Sequence, residues 1–267
     1  MGTHRLQDLE EVKISRFSST FDELDWLYGR KHDWGIVCGA ISLWIGGGGV
    51  GKTRLLVEMA KQLDSGDPSI STLFFQGELD PAGFKSEKLS GYIPKSNIWI
   101  SEDISIDDQI NRISELKPGL VITDSVQQIE EYQNGRGAKD IVRKLREVIR
   151  ETATHVIFIS QVTNSGTARG GTVLGHEVDI VCHLEKSGPM TPSMFILSCP
   201  DKNRYGKTGK EVIFCHKDWG VDCQSFNRMS CDDWTESLGI YKREQPIEIE
   251  KSRGFFRRAL DIIADRA

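Results

Sequence analysis

The sequence predicts an α/β fold in which a mostly parallel central sheet is flanked by helices. Between about residues 41 and 215, short apolar runs alternate with segments of helical periodicity, as expected of buried parallel strands joined by helical crossovers. A glycine-rich segment stands between the first strand and the first helix of this region. The 267 residues, 38% of them hydrophobic, are enough to bury the core of one large domain or two small ones.

The elements of this region are predicted in chain order from their apolar patterns. The first strand, ISLWI (41–45), precedes a helix over residues 53–63. A second helix is predicted over residues 141–151, where apolar residues recur on one helical face. The last strands follow one another closely, so part of the sheet is expected to be antiparallel. The strands predicted after the first are 72–76, 98–101, 119–124, 155–160, 178–184, 194–199 and 211–215.

Residues 46–53, GGGGVGKT, fit the G-x-x-x-x-G-K-[ST] pattern of a phosphate-binding loop and stand between a strand and a helix, as that loop requires. Its glycines let the backbone point N–H groups at phosphate oxygens, and the helix N-terminus adds the positive end of its dipole. Lys52 is predicted to contact the β- and γ-phosphates of ATP, and the Thr53 hydroxyl to bind Mg²⁺. The predicted ATP-binding residues are Gly46, Gly47, Gly48, Gly49, Val50, Gly51, Lys52, Thr53 and Arg54.

Three polar residues at strand ends are candidates for the chemistry. Asp124 ends the run LVITD and is predicted as the second Mg²⁺ contact, with a turn-capping carboxylate as the alternative. Glu78 follows TLFFQG and is predicted to hold and polarise the attacking water, with a surface-loop acid like Asp80 and Glu87 nearby as the alternative. Gln161 ends HVIFISQ and is predicted to sense the γ-phosphate; an ordinary strand-end hydrogen bond is the alternative.

In their order along the chain, these motifs resemble the ATPase core of the bacterial RadA (Sms) family, relatives of RecA and of DnaB-type helicases. The resemblance covers roughly residues 12–222 and implies a RecA-like ATPase domain over residues 1–221, followed by a tail over residues 222–267 with a possible amphipathic helix at 251–267. The matching segments are RFSSTFDELDWLYG (16–29), GGGGVGKT (46–53), FFQGELD with Glu78, LVITDSVQ with Asp124, QVTNSGTARGGTVLGHEVD (161–179) and KNRYG (202–206), which resembles the family's K-N-R-F-G signature.

The chain also departs from the family pattern. Its six cysteines include no C-x-x-C pair, so the four-cysteine zinc finger that usually begins the family is missing from these residues. The stretch from 222 to 267 is too short for the family's Lon-protease-like domain. Asn164 stands where the family typically has lysine, and Gly171–Thr172 where it has proline and a basic residue, so weaker or differently tuned DNA binding is expected.

The resemblance implies a motor that moves on single-stranded DNA during recombination or repair, as a homo-oligomer, most simply a hexameric ring, with a possible recombinase or replication partner. The loops over residues 127–137 and 163–173 are expected to face the central channel. DNA-binding candidates there are Arg136, Asn164 and Arg169, although the arginines could be solvated loop residues. Because the net charge is −5, DNA binding must come from a local basic surface. The alternatives are a regulatory or assembly ATPase ring that binds a protein partner, and an ATP-binding scaffold with little turnover.

The segment DKNRYG (201–206) raises the question whether Lys202 and Arg204 are catalytic or belong to a solvated turn. In RecA-like rings ATP lies between subunits, so both cations are predicted to act on the neighbouring subunit's γ-phosphate. They follow the strand 194–199 and are expected at a sheet edge, with Asn203 facing the opposite way and Gly206 permitting the turn back.

The chain contains no apolar run of about 18 residues, and its first residues, MGTHRLQDLEEVK, are charged and lack the apolar core of a secretory signal. No membrane association is therefore expected, and the expected location is the cytoplasm.

Overall fold

The computed structural model describes residues 13–30, 33–95, 97–132, 137–162, 171–186, 194–216 and 226–229. Within these ranges the chain forms eleven strands, nine of them in one sheet, and six α-helices. The strands are β1 Arg16–Phe17, β2 Ile36–Val37, β3 Ile41–Gly46, β4 Thr72–Gln76, β5 Ile98–Ser101, β6 Leu120–Asp124, β7 His155–Gln161, β8 Ile180–Lys186, β9 Met194–Asn203, β10 Lys210–His216 and β11 Phe226–Met229. The helices are α1 Asp22–Tyr28, α2 Lys52–Gly66, α3 Pro81–Lys88, α4 Ile106–Leu116, α5 Ala138–Thr152 and α6 Gly171–Glu177.

The strand order of the large sheet is β11-β10-β9-β8-β3-β7-β6-β4-β5. The six strands from β8 to β5 in this order run parallel to one another. The pairings of β8 with β9, of β9 with β10 and of β10 with β11 are antiparallel. The predicted fold class, a mostly parallel sheet that becomes antiparallel near its end and is flanked by helices, is therefore confirmed.

Both faces of the parallel strands are covered, which explains why they appear in the sequence as continuous apolar runs. All six residues of β3 are buried. Alternate residues of that strand enter two cores, with Trp44 in the cluster that includes helix α2 and Leu43 in the cluster that includes helix α5. This packing fixes the strands from both sides and so fixes where their carboxyl ends lie.

The register brings the carboxyl ends of β3, β4, β6 and β7 to one edge of the sheet. Gly46 at the end of β3 pairs with Gln161 at the end of β7. Gln76 at the end of β4 pairs with Asp124 at the end of β6. In open parallel α/β sheets ligands bind beyond this edge, so the fold places the polar strand-end residues where a ligand site is expected.

Strand β11 lies beyond residue 221, where the sequence analysis predicts the tail to begin, and it pairs with β10. The domain boundary itself stays a prediction, and the predicted helix at 251–267 lies outside the described residues. Among the helices of the described ranges, none has both the length and the apolar character that crossing a bilayer requires.

Candidate active site

The phosphate-binding loop joins β3 to α2 and opens toward solvent. Gly49 and Gly51 have left-handed backbone conformations, with φ of 68° and 99°, which residues other than glycine rarely adopt. A Cβ on Gly46 would lie 2.5 Å from the Leu184 carbonyl oxygen, so this end of the loop is closely packed. A Cβ on Gly47, Gly48 or Gly49 would have no heavy atom within 4 Å. The loop therefore leaves open space in front of the N-terminus of α2, as a phosphate group requires.

The ammonium group of Lys52 lies inside this loop. It donates hydrogen bonds to the carbonyl oxygens of Gly46 at 2.6 Å and Gly47 at 2.9 Å, and the residue is only 6% exposed. Burial lowers the pKa of this ammonium, and the negative charge of Asp124 opposes that shift. Lys52 is thus held by carbonyl oxygens of the loop itself.

Thr53 and Asp124 come together across the site, as their predicted shared role requires. The Thr53 hydroxyl donates to Asp124 Oδ2 at 2.5 Å. Burial raises the pKa of the Asp124 carboxyl, the Thr53 hydrogen bond lowers it, and the nearby negative charge of Glu78 raises it further. A hydroxyl and a carboxylate are oxygen ligands that suit Mg²⁺. The described residues contain no group of three or more His, Cys, Asp or Glu side chains that could hold a metal, so further ligands would be phosphate oxygens and water.

Glu78 and Gln161 lie at the same edge of the sheet. Glu78 is exposed, two residues beyond the end of β4, and its charge acts on the Asp124 carboxyl. Gln161 is exposed at the end of β7, and the backbone N–H of Val162, which follows it, donates to the Gly46 carbonyl at 3.3 Å. The structure therefore brings both residues to the mouth of the phosphate-binding loop. Their catalytic roles stay predictions.

Lys202 and Arg204 lie at the opposite end of the sheet. Lys202 Nζ donates to the carbonyl oxygens of Gly175 and His176 at the end of α6, at 2.9 and 2.6 Å. Arg204 forms an ion pair of 3.0 Å with Asp179, whose backbone N–H donates to the Ile41 carbonyl at the start of β3. From Ile41 to Gly46 the strand rises five residues, or about 17 Å at ~3.3 Å per residue. The two cations are therefore far from the phosphate-binding loop of their own chain.

Two expectations about this segment need correction. Strand β9 lies between β8 and β10, so Lys202 and Arg204 stand at the end of an interior strand and not at a sheet edge. Position 206 is glycine because of close packing, since a Cβ there would lie 2.6 Å from the Tyr28 carbonyl oxygen. The glycine that has a positive φ in this turn, at 78°, is Gly209. The expected alternation is present, since the Asn203 side chain points away from Lys202 and donates to the Tyr28 carbonyl at 3.4 Å.

The three DNA-binding candidates, Arg136, Asn164 and Arg169, lie outside the described residues. The second predicted loop spans 163–173, but its last three residues, 171–173, already belong to α6, whose Gly175 and His176 carbonyls are bound by Lys202. The segment that bears the two cations is thus in direct contact with the element that continues from that loop.

Sequence reasoning missed several buried or half-buried polar residues that hold these segments in place. Asp179 is almost fully buried, with its side chain 1% exposed, and it pairs with Arg146 at 2.9 Å as well as with Arg204. Its Oδ2 also accepts the Ile41 N–H at 3.0 Å. Gln76 and Gln128 bind the backbone on either side of Glu78. The sequence signal available for such a residue is its position directly beside an apolar run, as with Gln76 at the end of TLFFQ.

The chain is similar to curated proteins described as DNA repair protein RadA. The relative from Chlamydia muridarum is 30% identical over 212 residues, which are 76% of this chain and 44% of that protein. The relative from Haemophilus influenzae is 28% identical over 228 residues, 81% of this chain and 47% of that protein. The relative from Aquifex aeolicus is 25% identical over 223 residues, 80% of this chain and 48% of that protein. The chain therefore spans about half the length of the curated relatives it matches.

No family model matches the chain. Among solved structures, one described as an ATPase domain aligns with a TM-score of 0.62 over 81% of this chain and 92% of that domain, at 17% identity. At this identity the match establishes the fold and not the activity. The fold is thus that of a RecA-like ATPase domain, and the similarity to several RadA proteins confirms the resemblance to the RadA family that the motifs predict.

Proposed function

We propose that this chain is a Mg²⁺-dependent ATPase of the RadA type that binds single-stranded DNA and acts in DNA recombination and repair. The observation that carries the proposal is the convergence of Lys52, the Thr53–Asp124 pair, Glu78 and Gln161 at one edge of the sheet. These are the groups that phosphoryl transfer requires, because its catalysis consists of positioning and charge stabilisation around the phosphates.

Each side chain has one task in this proposal. Lys52 binds phosphate oxygens of ATP, and the loop carbonyls that it contacts hold it in place before the nucleotide arrives. Thr53 and Asp124 would hold Mg²⁺, which supplies charge neutralisation for the phosphates when bound. Glu78 accepts a proton from the attacking water and orients it, and its exposed position leaves room for that water. Gln161 donates its amide to the γ-phosphate region beside Gly46.

Lys202 and Arg204 complete the site of a neighbouring subunit in this proposal. They lie far from the phosphate-binding loop of their own chain, at the other end of β3, so a second copy is needed to bring such cations to an ATP molecule. A closed ring of identical subunits, most simply a hexamer, repeats that contact at each interface. The transferring phosphoryl group carries negative charge that a cation at this point stabilises.

The role in DNA metabolism rests on the relatives, which are described as DNA repair proteins. Arg136, Asn164 and Arg169 would contact the DNA backbone from the loops 127–137 and 163–173, with a recombinase or replication protein as a further partner. The motor would act on cytoplasmic DNA. An ATPase ring that binds a protein partner is the second candidate, favoured by the net charge of −5 and by Asn164 in the loop position where the family typically has lysine.

Titration with salt separates the two candidates. A labelled single strand should bind in the presence of a non-hydrolysable ATP analogue, and its affinity should fall steeply as salt rises, because phosphate contacts release counterions. Arg169→Ala should weaken binding of different sequences alike. Binding that is absent at low salt with the analogue present would reject the DNA-binding function and leave the protein-partner function.

A further inference from the structure

The turn that carries Glu78 is held by two glutamine side chains. The Gln76 amide accepts from the backbone N–H of Leu79 at 3.1 Å and also donates to the Leu79 carbonyl oxygen. The Gln128 Oε1 accepts from the backbone N–H of Gly77 at 2.7 Å. The backbone is therefore bound by a side-chain amide on each side of Glu78, whose own side chain is exposed.

Both glutamines are anchored in the core. Gln76 is 6% exposed and ends β4 beside Asp124 of β6. Gln128 ends a short 3₁₀ helix, Val126–Gln128, that begins two residues after the end of β6. Val126 is fully buried in that helix, and Ile129 after it is 2% exposed. Gln76 is thus held by the strand that it ends, and Gln128 lies between two buried residues of its own segment, Val126 and Ile129.

The chain after Gln128 is also fastened. The backbone N–H of Glu130 donates to the Ile104 carbonyl at 3.1 Å. Both carboxylate oxygens of Glu131 accept from the N–H of Ile106 at the start of α4, at 3.1 and 3.2 Å. The segment that presents Gln128 to Gly77 is thus fixed at both ends.

Gly77 fits against Gln128 without space for a side chain. A Cβ on Gly77 would lie 2.8 Å from Gln128 Oε1 and 3.5 Å from the amide carbon of the same side chain. The nearest atom of another residue, in the Ile104 side chain, would be 3.6 Å away. The contact between residues 77 and 128 is therefore close enough that a methyl group would displace the amide oxygen.

We infer that Gln76 and Gln128 are positioning residues for hydrolysis, which set the place of Glu78 relative to Asp124. The inference rests on the proposed function, in which Glu78 orients the attacking water. Gln128 is four residues beyond Asp124, and it binds the residue before Glu78, so one short rigid segment links the metal-binding carboxylate to the base. A base whose backbone is fixed in this way needs little reorganisation when ATP and water are in place.

The kinetic test compares Gln128→Met with Gln62→Met. Methionine keeps the length of the side chain and removes the acceptor. Gln62, on helix α2 and away from the Glu78 turn, accepts from Thr20 Oγ1 and serves as the matched control. Gln128→Met should lower kcat about 10- to 100-fold, the effect of an ångström-scale misplacement, with the KM for ATP within about twofold of the parent. Gly77→Ala should have the same effect, because its methyl group displaces the same oxygen. Gln62→Met should keep the parental kcat.

Two further measurements separate positioning from a general loss of structure. In single-turnover experiments, Gln128→Met should add little to the defect of Glu78→Gln, because both changes act on one group. Amide hydrogen exchange at Gly77 should become faster in Gln128→Met while exchange in the core strands is unchanged.

The outcomes distinguish the inference from the proposed function. If Glu78→Gln lowers the single-turnover rate strongly while Gln128→Met keeps the parental kcat, the positioning role is wrong and the base assignment stands. The same conclusion follows if Gln128→Met lowers the residual single-turnover rate of Glu78→Gln by the same factor as it lowers the parental rate. If Glu78→Gln hydrolyses ATP at the parental rate, both are wrong. Unchanged exchange at Gly77 in Gln128→Met would overturn the contact on which the inference depends.

Discussion

Replacing Lys202 and Arg204 by alanine tests whether they act on the neighbouring subunit, and the structure gives the size of the effect to expect. Along β3 the segment is about 17 Å from the phosphate-binding loop of its own chain. At that distance the interaction between two unit charges is about 0.2 kcal/mol in water and about 1 kcal/mol at an effective dielectric constant of about 20. Action within the chain would thus change the rate by about fivefold or less for each cation. A cation supplied by a neighbour is worth roughly 10³- to 10⁵-fold.

The assay is ATP hydrolysis by mixtures of two inactive variants. Subunits with Lys202→Ala and Arg204→Ala keep the base but lack the cations, and Glu78→Gln subunits keep the cations but lack the base. Mixed rings contain interfaces at which an intact base faces an intact pair of cations, so activity should return on mixing. Lys207→Ala is the matched control, because Lys207 is an exposed cation in the same turn; it should keep the parental rate.

Stability must be measured beside activity, since both cations have partners inside the subunit. Lys202 binds the end of α6 and Arg204 pairs with Asp179. The thermal midpoint of the double variant, and its ATP affinity, show whether an intact site remains. Mixed rings that form and stay inactive would refute action in trans. A double variant that loses less than about 25-fold in rate would also refute it, because two distant charges of about fivefold each explain a loss of that size.

Other predictions concern the nucleotide site and the core. Lys52→Ala should lose ATP affinity, measured by equilibrium binding, because it removes a contact to ground-state phosphates; Glu78→Gln should bind ATP normally and lose turnover. Asp124→Asn should shift the Mg²⁺ requirement of hydrolysis to higher concentration, which a Mg²⁺ titration at saturating ATP measures. Fully buried His155 has a pKa lowered by burial to about 4. Because the unfolded state takes up the proton near pH 6.5, His155 should make unfolding easier by up to about 3 kcal/mol as pH falls from about 6.5 to about 4, with no effect above that range. The free energy of unfolding, measured by chemical denaturation, should fall more steeply with falling pH over this range in the parent than in His155→Gln. Parallel pH dependences of the two proteins would contradict the lowered pKa of His155.

The strand ends were predictable because burial on both faces makes parallel strands visible as apolar runs. Such a run has an obvious last residue, and parallel strands place those last residues at one edge, so Asp124 and Gln161 could be predicted to meet beside Gly46. Helix α3, which is absent from the elements predicted above, also has a recognisable sequence signal at its start. Asp80 caps it by accepting from the Gly83 N–H at 2.6 Å, and Pro81 occupies its first position.

The remaining parts of the site depend on contacts between distant segments. Nothing in the run LVITDSVQQ distinguishes Gln128, which binds Gly77 51 residues earlier, from a solvated turn residue. The position of Lys202 and Arg204 depends on β9 being an interior antiparallel strand, which reverses the direction of the chain and carries them away from the phosphate-binding loop. Periodicity gives the length of a strand but not its neighbours.

The most direct test of the proposed function is the rate of ATP hydrolysis with Mg²⁺, measured with and without single-stranded DNA, for the parent chain and for Glu78→Gln. We expect turnover by the parent that single-stranded DNA increases and that chelation of Mg²⁺ abolishes, and no turnover by Glu78→Gln under either condition. Hydrolysis by the parent that DNA leaves unchanged at low salt would contradict the motor function, and hydrolysis by Glu78→Gln at the parental rate would contradict the proposed active site.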